Sequence, residues 1–355
     1  MREDDAGSKA PVRGLSGGLV VDAHNDLLLE LAFRAREENP FARHWLAPLR
    51  AGGVRLQLCP VYVGLEHLPE SALRRALEQV AAAHRAAEEN AADVALVRTR
   101  EDLDAVLDGD RIGLILAMEG AEPFGYDPAT ADVFWDLGVR VFGLTWNRRN
   151  PFADGAAEGA GGLSRLGTEL VARLFARGAV LDLAHASAGT FDDVLALAGD
   201  GDAVVVTHAG CRAVHDTPRN LADEQLRALA AAGGVLGVMA HPLATDPAEP
   251  TIPRVADHVV HALELMGPGH VGLGADFIQQ VSRSGAVVSP PDALLPDGMA
   301  IDAAIEGLEG PEGYPRLLEE LERRGVDVPA VAGTSFMALL RAALPTDNTQ
   351  ARYTR

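Results

Sequence analysis

The chain reads as one (β/α)8 barrel, and two observations carry that expectation. Eight short apolar runs of strand character alternate with Ala/Leu/Arg/Glu stretches of helical period. The turn after the first run is His24-Asn25-Asp26, where an open doubly wound sheet would place a Gly-rich phosphate turn, and no G-x-G-x-x-G follows it.

The runs in order are Leu19–Asp26, Val54–Val63, Ile112–Glu119, Val139–Trp146, Ala179–His185, Ala203–His208, Val235–Ala240 and His270–Phe277. Parallel strands buried on both faces read as nearly continuous apolar runs, as these do. Glu70–Asn90, Leu166–Ala176, Thr190–Leu197, Leu221–Ala232 and Val255–Met266 carry the helical period between them. Ser282–Gly298 predicts a long loop after the eighth strand, and Pro315–Leu344 returns to helical period. The expected organisation is a loose arm over residues 1–15, a single catalytic barrel over 16–345 and a tail over 346–355.

At 355 residues and 48% hydrophobic content the chain can bury a large core. Its formal charge of −20 argues against nucleic acid, whose phosphates require clustered Lys and Arg. Lys9 is the only lysine, so a carboxylated lysine bridging two metals from a strand is excluded. Cys59 and Cys211 fit no C-x-x-C spacing, and Cys59 reads as a small buried hydrophobe. No basic start leads into an apolar segment, and no apolar run approaches the roughly 18 residues of a spanning helix. The expectation is a cytoplasmic protein without a membrane partner; a homodimer is one assembly the sequence allows.

The chemistry gathers at strand ends. In Gly18-Leu-Val-Val-Asp-Ala-His-Asn-Asp26, His24 and Asp26 are two apart, so an extended chain points both to one face, as a divalent metal requires. Alone, such a pair is ordinary hydrogen-bonded structure. Further runs, however, end in Met118-Glu119-Gly120, Asp182-Leu-Ala-His185, Thr207-His208-Ala209 and Gly274-Ala-Asp276-Phe277. All strands of a barrel end on one face, which makes these motifs one site. Glu119 has two oxygens with which to bridge two metals, and His185 and His208 end successive strands. Asp276 returns beside the first strand, where it can bind a metal, hold a water or pass a proton. Arg219, on the loop after His208, suits a carboxylate bidentately. His241, after the seventh strand, is placed to line a substrate pocket. His44, His67, His84, His215, His258, His261 and His270 have no partner pattern and read as structural.

These residues resemble the membrane (renal) dipeptidase family of zinc peptidases, within the amidohydrolase-type barrels, from Val20 to about Leu340. The likeness rests on Asp22-Ala-His-Asn-Asp26, Glu119-Gly120, Asn150-Pro-Phe-Ala-Asp-Gly155, Asp182-Leu-Ala-His185 and Thr207-His-Ala209. It continues in Pro218-Arg-Asn-Leu221, Gly272-Leu-Gly-Ala-Asp-Phe277 and Gly333-Thr-Ser-Phe336. His-x-Asp at the first strand is the discriminating detail. The resemblance implies two Zn2+ per chain: one held by His24, Asp26 and Glu119, the other by Glu119, His185 and His208. It implies a free dipeptide substrate, including one with a D-residue at its carboxyl end, attacked by a metal-bridging hydroxide. In that reading Arg219 binds the terminal carboxylate and Asp276 handles the proton. Where mammalian relatives carry a His after the fourth strand, this chain has Trp146 in Leu144-Thr-Trp-Asn147, so Trp146 and Asn147 define an altered substrate pocket of bacterial type. Thr207, Ala209 and Ile278 also depart from the residues usual there. A sister hydrolase of lactones, β-lactams or a peptide-like biosynthetic intermediate is the competing reading, and a non-catalytic metal-stabilised scaffold is the reading of another class.

Overall fold

The computed structural model describes residues 19–287 and 294–346. The expected arm, Lys9, the middle of the Ser282–Gly298 loop and nearly all of the tail lie outside the described residues.

Nine parallel strands form the sheet: β1 Val20–Asp22, β2 Val54–Tyr62, β3 Val94–Leu96, β4 Ile112–Glu119, β5 Val139–Gly143, β6 Val180–Asp182, β7 Ala203–Ala209, β8 Val235–Val238 and β9 Val271–Leu273. Eight of them close the barrel in the order β1-β2-β4-β5-β6-β7-β8-β9, with β9 returning to β1 through the Asp22–Leu273 pair. The sequence expectation missed β3. Its three residues pair only with the amino-terminal half of β4, outside the ring that closes through β2 and β4. A run that short has no period to detect.

Alternation along the strands sorts the core into two regions. Val21, Leu56, Leu58, Ile115, Ala117, Val141, Val180 and Val205 belong to the cluster inside the barrel. Cys59, Val61, Leu116, Phe142 and Val206 pack outward under the helices. Glu119 shares the parity of Ile115 and Ala117, so the same pleat aims its carboxylate inward at the barrel mouth.

Strands end earlier than the sequence suggests. β1 stops at Asp22 and β6 at Asp182, so His24, Asp26 and His185 lie in the turns beyond. The chain leaves the extended conformation beyond the strands: His185 and Asp276 have φ of 62° and 59°, left-handed values that strand residues do not take. The anticipated helices occur as Ala72–Glu89, Arg165–Ala176, Ala188–Leu197, Asp223–Ala231 and Ile252–Met266. The loop expected from Ser282 is preceded by a short helix, Ile278–Ser284, and the last helical stretch divides into Tyr314–Arg323 and Ser335–Ala343. Among the described residues no helix is long and apolar enough to cross a membrane.

Candidate metal centre and active site

Six acidic and imidazole side chains from five strand ends meet at the carboxyl-terminal mouth of the barrel. Glu119 Oε1 lies 3.0 Å from His185 Nε2, 3.6 Å from His24 Nε2 and 3.7 Å from His208 Nε2. His24 Nε2 is 3.8 Å from Asp26 Oδ1 and 4.0 Å from Asp276 Oδ1. His24–Glu119–His208 and His24–Asp26–Asp276 each bring their donor atoms within 4.8 Å of one another. His185 Nε2 is 2.8 Å from His208 Nε2.

The hydrogen-bond network assigns the same tautomer to all three imidazoles. Thr207 donates its hydroxyl to Asp182 Oδ2 at 2.6 Å, so Thr207 Oγ1 receives protons from His208 Nδ1 at 3.0 Å and His24 Nδ1 at 3.5 Å. His185 donates from Nδ1 to Asn147 Oδ1 at 2.7 Å. Each Nε2 is left with a lone pair turned into the cluster. Asp182 further accepts the backbone amides of Ala184 and Thr207 at 3.0 and 2.9 Å, tying β6 to β7. Asp22 does the same for β1 and β9, accepting from the amides of His24 and Ala275 at 3.3 and 3.2 Å.

His208 owes its direction to a defect. Between Val206 and Ala209, β7 takes three steps against two on β8, which inserts one residue and reverses the alternation. The room comes from two glycines: a Cβ on Gly237 or Gly274 would lie 2.0 or 1.9 Å from the Thr207 carbonyl oxygen. Behind His185, Ser187 caps the helix Ala188–Leu197 by accepting from the Thr190 amide at 3.1 Å, fixing the turn that carries the imidazole.

The electrostatics call for a cation. Burial pushes Glu119 and Asp26 well above the carboxylate range, with neighbouring acids adding to it. Burial holds His185 and His208 well below their ordinary value and takes His24 down to about 3, with Arg219 as a further cause. Asp276 is raised to about 6 by burial, against the lowering effect of Arg219. His24 Nε2 and Asp26 Oδ1 are buried with no hydrogen-bond partner. Two unprotonated Nε2 atoms 2.8 Å apart cannot hydrogen-bond each other. Orphaned donor atoms of imidazole and carboxylate type converging in one buried cluster fit divalent metal ions of the zinc class.

Asp26, Glu119, His185 and Asp276 face one pocket, together with Arg219, Trp146, Asn147 and His241. His24 and His208 sit below it. Arg219 is buried, its pKa lowered by burial to about 10, and it donates to His185 Nε2 at 3.1 Å and the His208 carbonyl at 3.3 Å. Trp146 lies 5.5 Å from the His185 ring and 5.3 Å from that of Tyr62, forming an aromatic wall. His241 lines the pocket, yet both ring nitrogens are engaged: Nδ1 accepts from the Leu243 amide at 3.2 Å and Nε2 donates to the Ile301 carbonyl at 3.2 Å. It ties down the loop carrying Ile301. Sequence reading gave no role to Tyr62, Asp182 or Thr207. Asp182 carried a signal, because Asp-x-His at β1 and Asp-x-x-His at β6 repeat one bracket.

A sequence model of the family membrane dipeptidase (peptidase family M19) matches residues 15–287. Dipeptidase verJ of Clonostachys rogersoniana is 31% identical over 272 residues, covering 76% of this chain and 64% of that protein. Dipeptidase aclJ of Aspergillus oryzae is 31% identical over 237 residues, covering 65% and 51%. The matches thus span less than two thirds of these curated relatives. Among solved structures, the metallopeptidase dipeptidase AC superposes with a TM-score of 0.79 at 24% identity, covering 93% of this chain and 99% of that one. A metallopeptidase from Rhodobacter sphaeroides gives 0.79 at 23% identity over 92% and 100%. These two show a shared fold. With its family match across most of the barrel, the chain belongs to the membrane dipeptidase family, peptidase family M19.

Proposed function

We propose that the chain is a binuclear zinc dipeptidase that hydrolyses free dipeptides, including those with a D-residue at the carboxyl end. The observation that carries this reading is the convergence of six acidic and imidazole side chains at one barrel mouth, with the buried Arg219 lining the pocket that opens onto them and bonded there only to His185 Nε2 and the His208 carbonyl among the described residues. The Rhodobacter sphaeroides metallopeptidase is described as liganded with a phosphinate mimic of L-Ala-D-Ala, which agrees with the substrate class.

In this reading His24, Asp26 and Glu119 would hold one zinc, and Glu119, His185 and His208 would hold the other. Bound there, the ions supply Lewis-acid polarisation of the peptide carbonyl and acidification of a water. The protein does the rest. Arg219 receives the terminal carboxylate as a bidentate pair and so sets the peptide bond over Glu119. Asp276 Oδ1 accepts the proton of the attacking water and delivers it to the nitrogen of the departing amine. Trp146 and Tyr62 shield this face from bulk water.

The test is dipeptide turnover by metal-stripped and zinc-reloaded protein. We expect loss and recovery of activity and about two zinc ions per chain. His185→Ala should bind one ion fewer and lose nearly all turnover; a variant that keeps both ions removes His185 from the ligand set. Absence of dipeptide turnover with hydrolysis of lactones or β-lactams would move the chain to the sister class.

A further inference from the structure

We infer that the enzyme selects dipeptides whose amino-terminal residue carries an apolar, uncharged side chain. The claim rests on the dipeptidase reading and deepens it. Two cavities meet at His185 and Arg219. One contains Asp26, Glu119 and Asp276; the other, about 480 Å³, touches none of the three and runs past Arg219 toward Ser187, Arg212 and Gln225. With the scissile carbonyl at the acidic cluster, the amino-terminal residue has to occupy the first cavity in any pose. The carboxyl-terminal side chain has a second way out, beyond Arg219.

The first cavity is walled by Tyr62, Trp146, Met239, Leu243, Ile278 and Ile301. Its charged lining, among the described residues, consists of the three acids of the cluster and Arg219, which the carboxylate of the substrate engages. His185 belongs to the ligand set, and both ring nitrogens of His241 are taken, by the Leu243 amide and the Ile301 carbonyl. Arg148 lies behind the aromatic wall, paired with Glu122 at 3.0 Å. With Asp26 and Glu119 assigned to the zinc ions and Asp276 to the proton, a substrate ammonium or second carboxylate against the wall formed by Tyr62, Trp146, Met239, Leu243, Ile278 and Ile301 loses its water without gaining a partner there, whereas a Leu, Met or Phe side chain gains burial. Ile278 and Ile301 stand where an acidic or basic residue would reverse the preference.

The experiment compares kcat/KM of zinc-loaded protein across Xaa–Ala dipeptides (Leu, Met, Phe, Glu, Lys) with the matching Ala–Xaa series, each with L- and D-residues at the carboxyl position. Leu, Met and Phe should exceed Glu and Lys at the amino-terminal position by at least about tenfold, with a narrower spread at the carboxyl-terminal position. Equal rates for charged and apolar amino-terminal residues overturn the inference while leaving the dipeptidase reading intact. No turnover of any dipeptide overturns that reading, and this inference with it. Ile301→Arg keeps the backbone carbonyl that His241 uses and should raise Glu–Ala relative to Leu–Ala at least about tenfold. Should that variant not fold, Ile301→Gln should lower Leu–Ala relative to Gly–Ala. An unchanged ratio in the folded variant overturns the assignment of this wall.

Discussion

Asp182 is the residue whose replacement best separates holding the fold from holding the metal. Its Oδ1 accepts two backbone amides, at 3.0 Å from Ala184 and 2.9 Å from Thr207, while Oδ2 takes the Thr207 hydroxyl at 2.6 Å. Asp182→Asn preserves the first oxygen and presents an NH2 group where the second was. Thr207 Oγ1 must then accept, and its own proton has two outlets. It either points at His208 Nδ1, 3.0 Å away, which moves the imidazole proton to Nε2 and removes the ligand lone pair, or it stays buried without a partner. Each outlet costs about 1–3 kcal/mol, so zinc affinity should fall roughly 10- to 100-fold. Both backbone bonds survive, so the metal-free protein should lose about 1 kcal/mol or less. Asp182→Ala is the contrast: it strands two amides and a hydroxyl at about 1–3 kcal/mol each and should lower the unfolding midpoint of the metal-free protein. Zinc titration against a competing chelator, with urea unfolding of the stripped protein, reads both quantities. An Asn variant with wild-type zinc affinity would refute the tautomer argument.

Three further outcomes are expected. Asp276→Asn should keep its zinc content and lower kcat by about 10²–10⁴-fold, because the amide keeps the shape but cannot accept and return a proton; a normal kcat in stopped-flow or steady-state assays assigns Asp276 to structure. Arg219→Ala should lose most of its kcat/KM on free dipeptides, and the wild type should leave their carboxyl-terminal amides uncleaved; equal hydrolysis of acids and amides refutes the carboxylate anchor. His258 lies apart from the metal centre and is held down to about 4 by burial, accepting the Cys211 amide and donating to the Thr245 carbonyl. The unfolded chain binds that proton near pH 6.5 and the folded chain does not, so stability is lost as pH falls through 6.5 toward 4. From pH 7 to 5 the loss is about 2 kcal/mol, and urea midpoints of His258→Gln should show a correspondingly shallower pH dependence.

Barrel order was legible because parallel strands buried on both faces are apolar runs that turn polar at one end. The identities of the clustering residues were legible for the same reason: Glu119, His185, His208 and Asp276 interrupt those runs at their carboxyl ends. Their orientation was not. Alternation would place His24 and Asp26 on one face of a strand, but β1 ends at Asp22 and the pair converges through a turn. His208 faces the site only because a bulge shifts the alternation by one residue. His185 and Asp276 sit at left-handed φ, which Asp and His adopt more readily than most residues but which nothing in the apolar runs places at these two positions. Asn147 illustrates another limit. It lines the pocket, as its neighbourhood suggested, but its carbonyl also fixes the proton of His185, a pairing set by a residue 38 positions away that no local pattern announces.

The bulge in β7 also says something about how such a protein tolerates change. In most barrels an interior position is a slot for a branched side chain, and substitutions there are felt as volume gained or lost. At Gly237 and Gly274 the slot is occupied by the main chain of another strand. These two glycines, one in β8 and one just past β9, and the extra residue in β7 form one steric unit: a side chain at either glycine would collide with the Thr207 carbonyl that the bulge brings there, although neither glycine carries a reactive group. In a mutational scan they should behave like active-site residues, intolerant even of alanine. Transplanting the ligands onto another barrel without this unit would carry the imidazole over facing the wrong way.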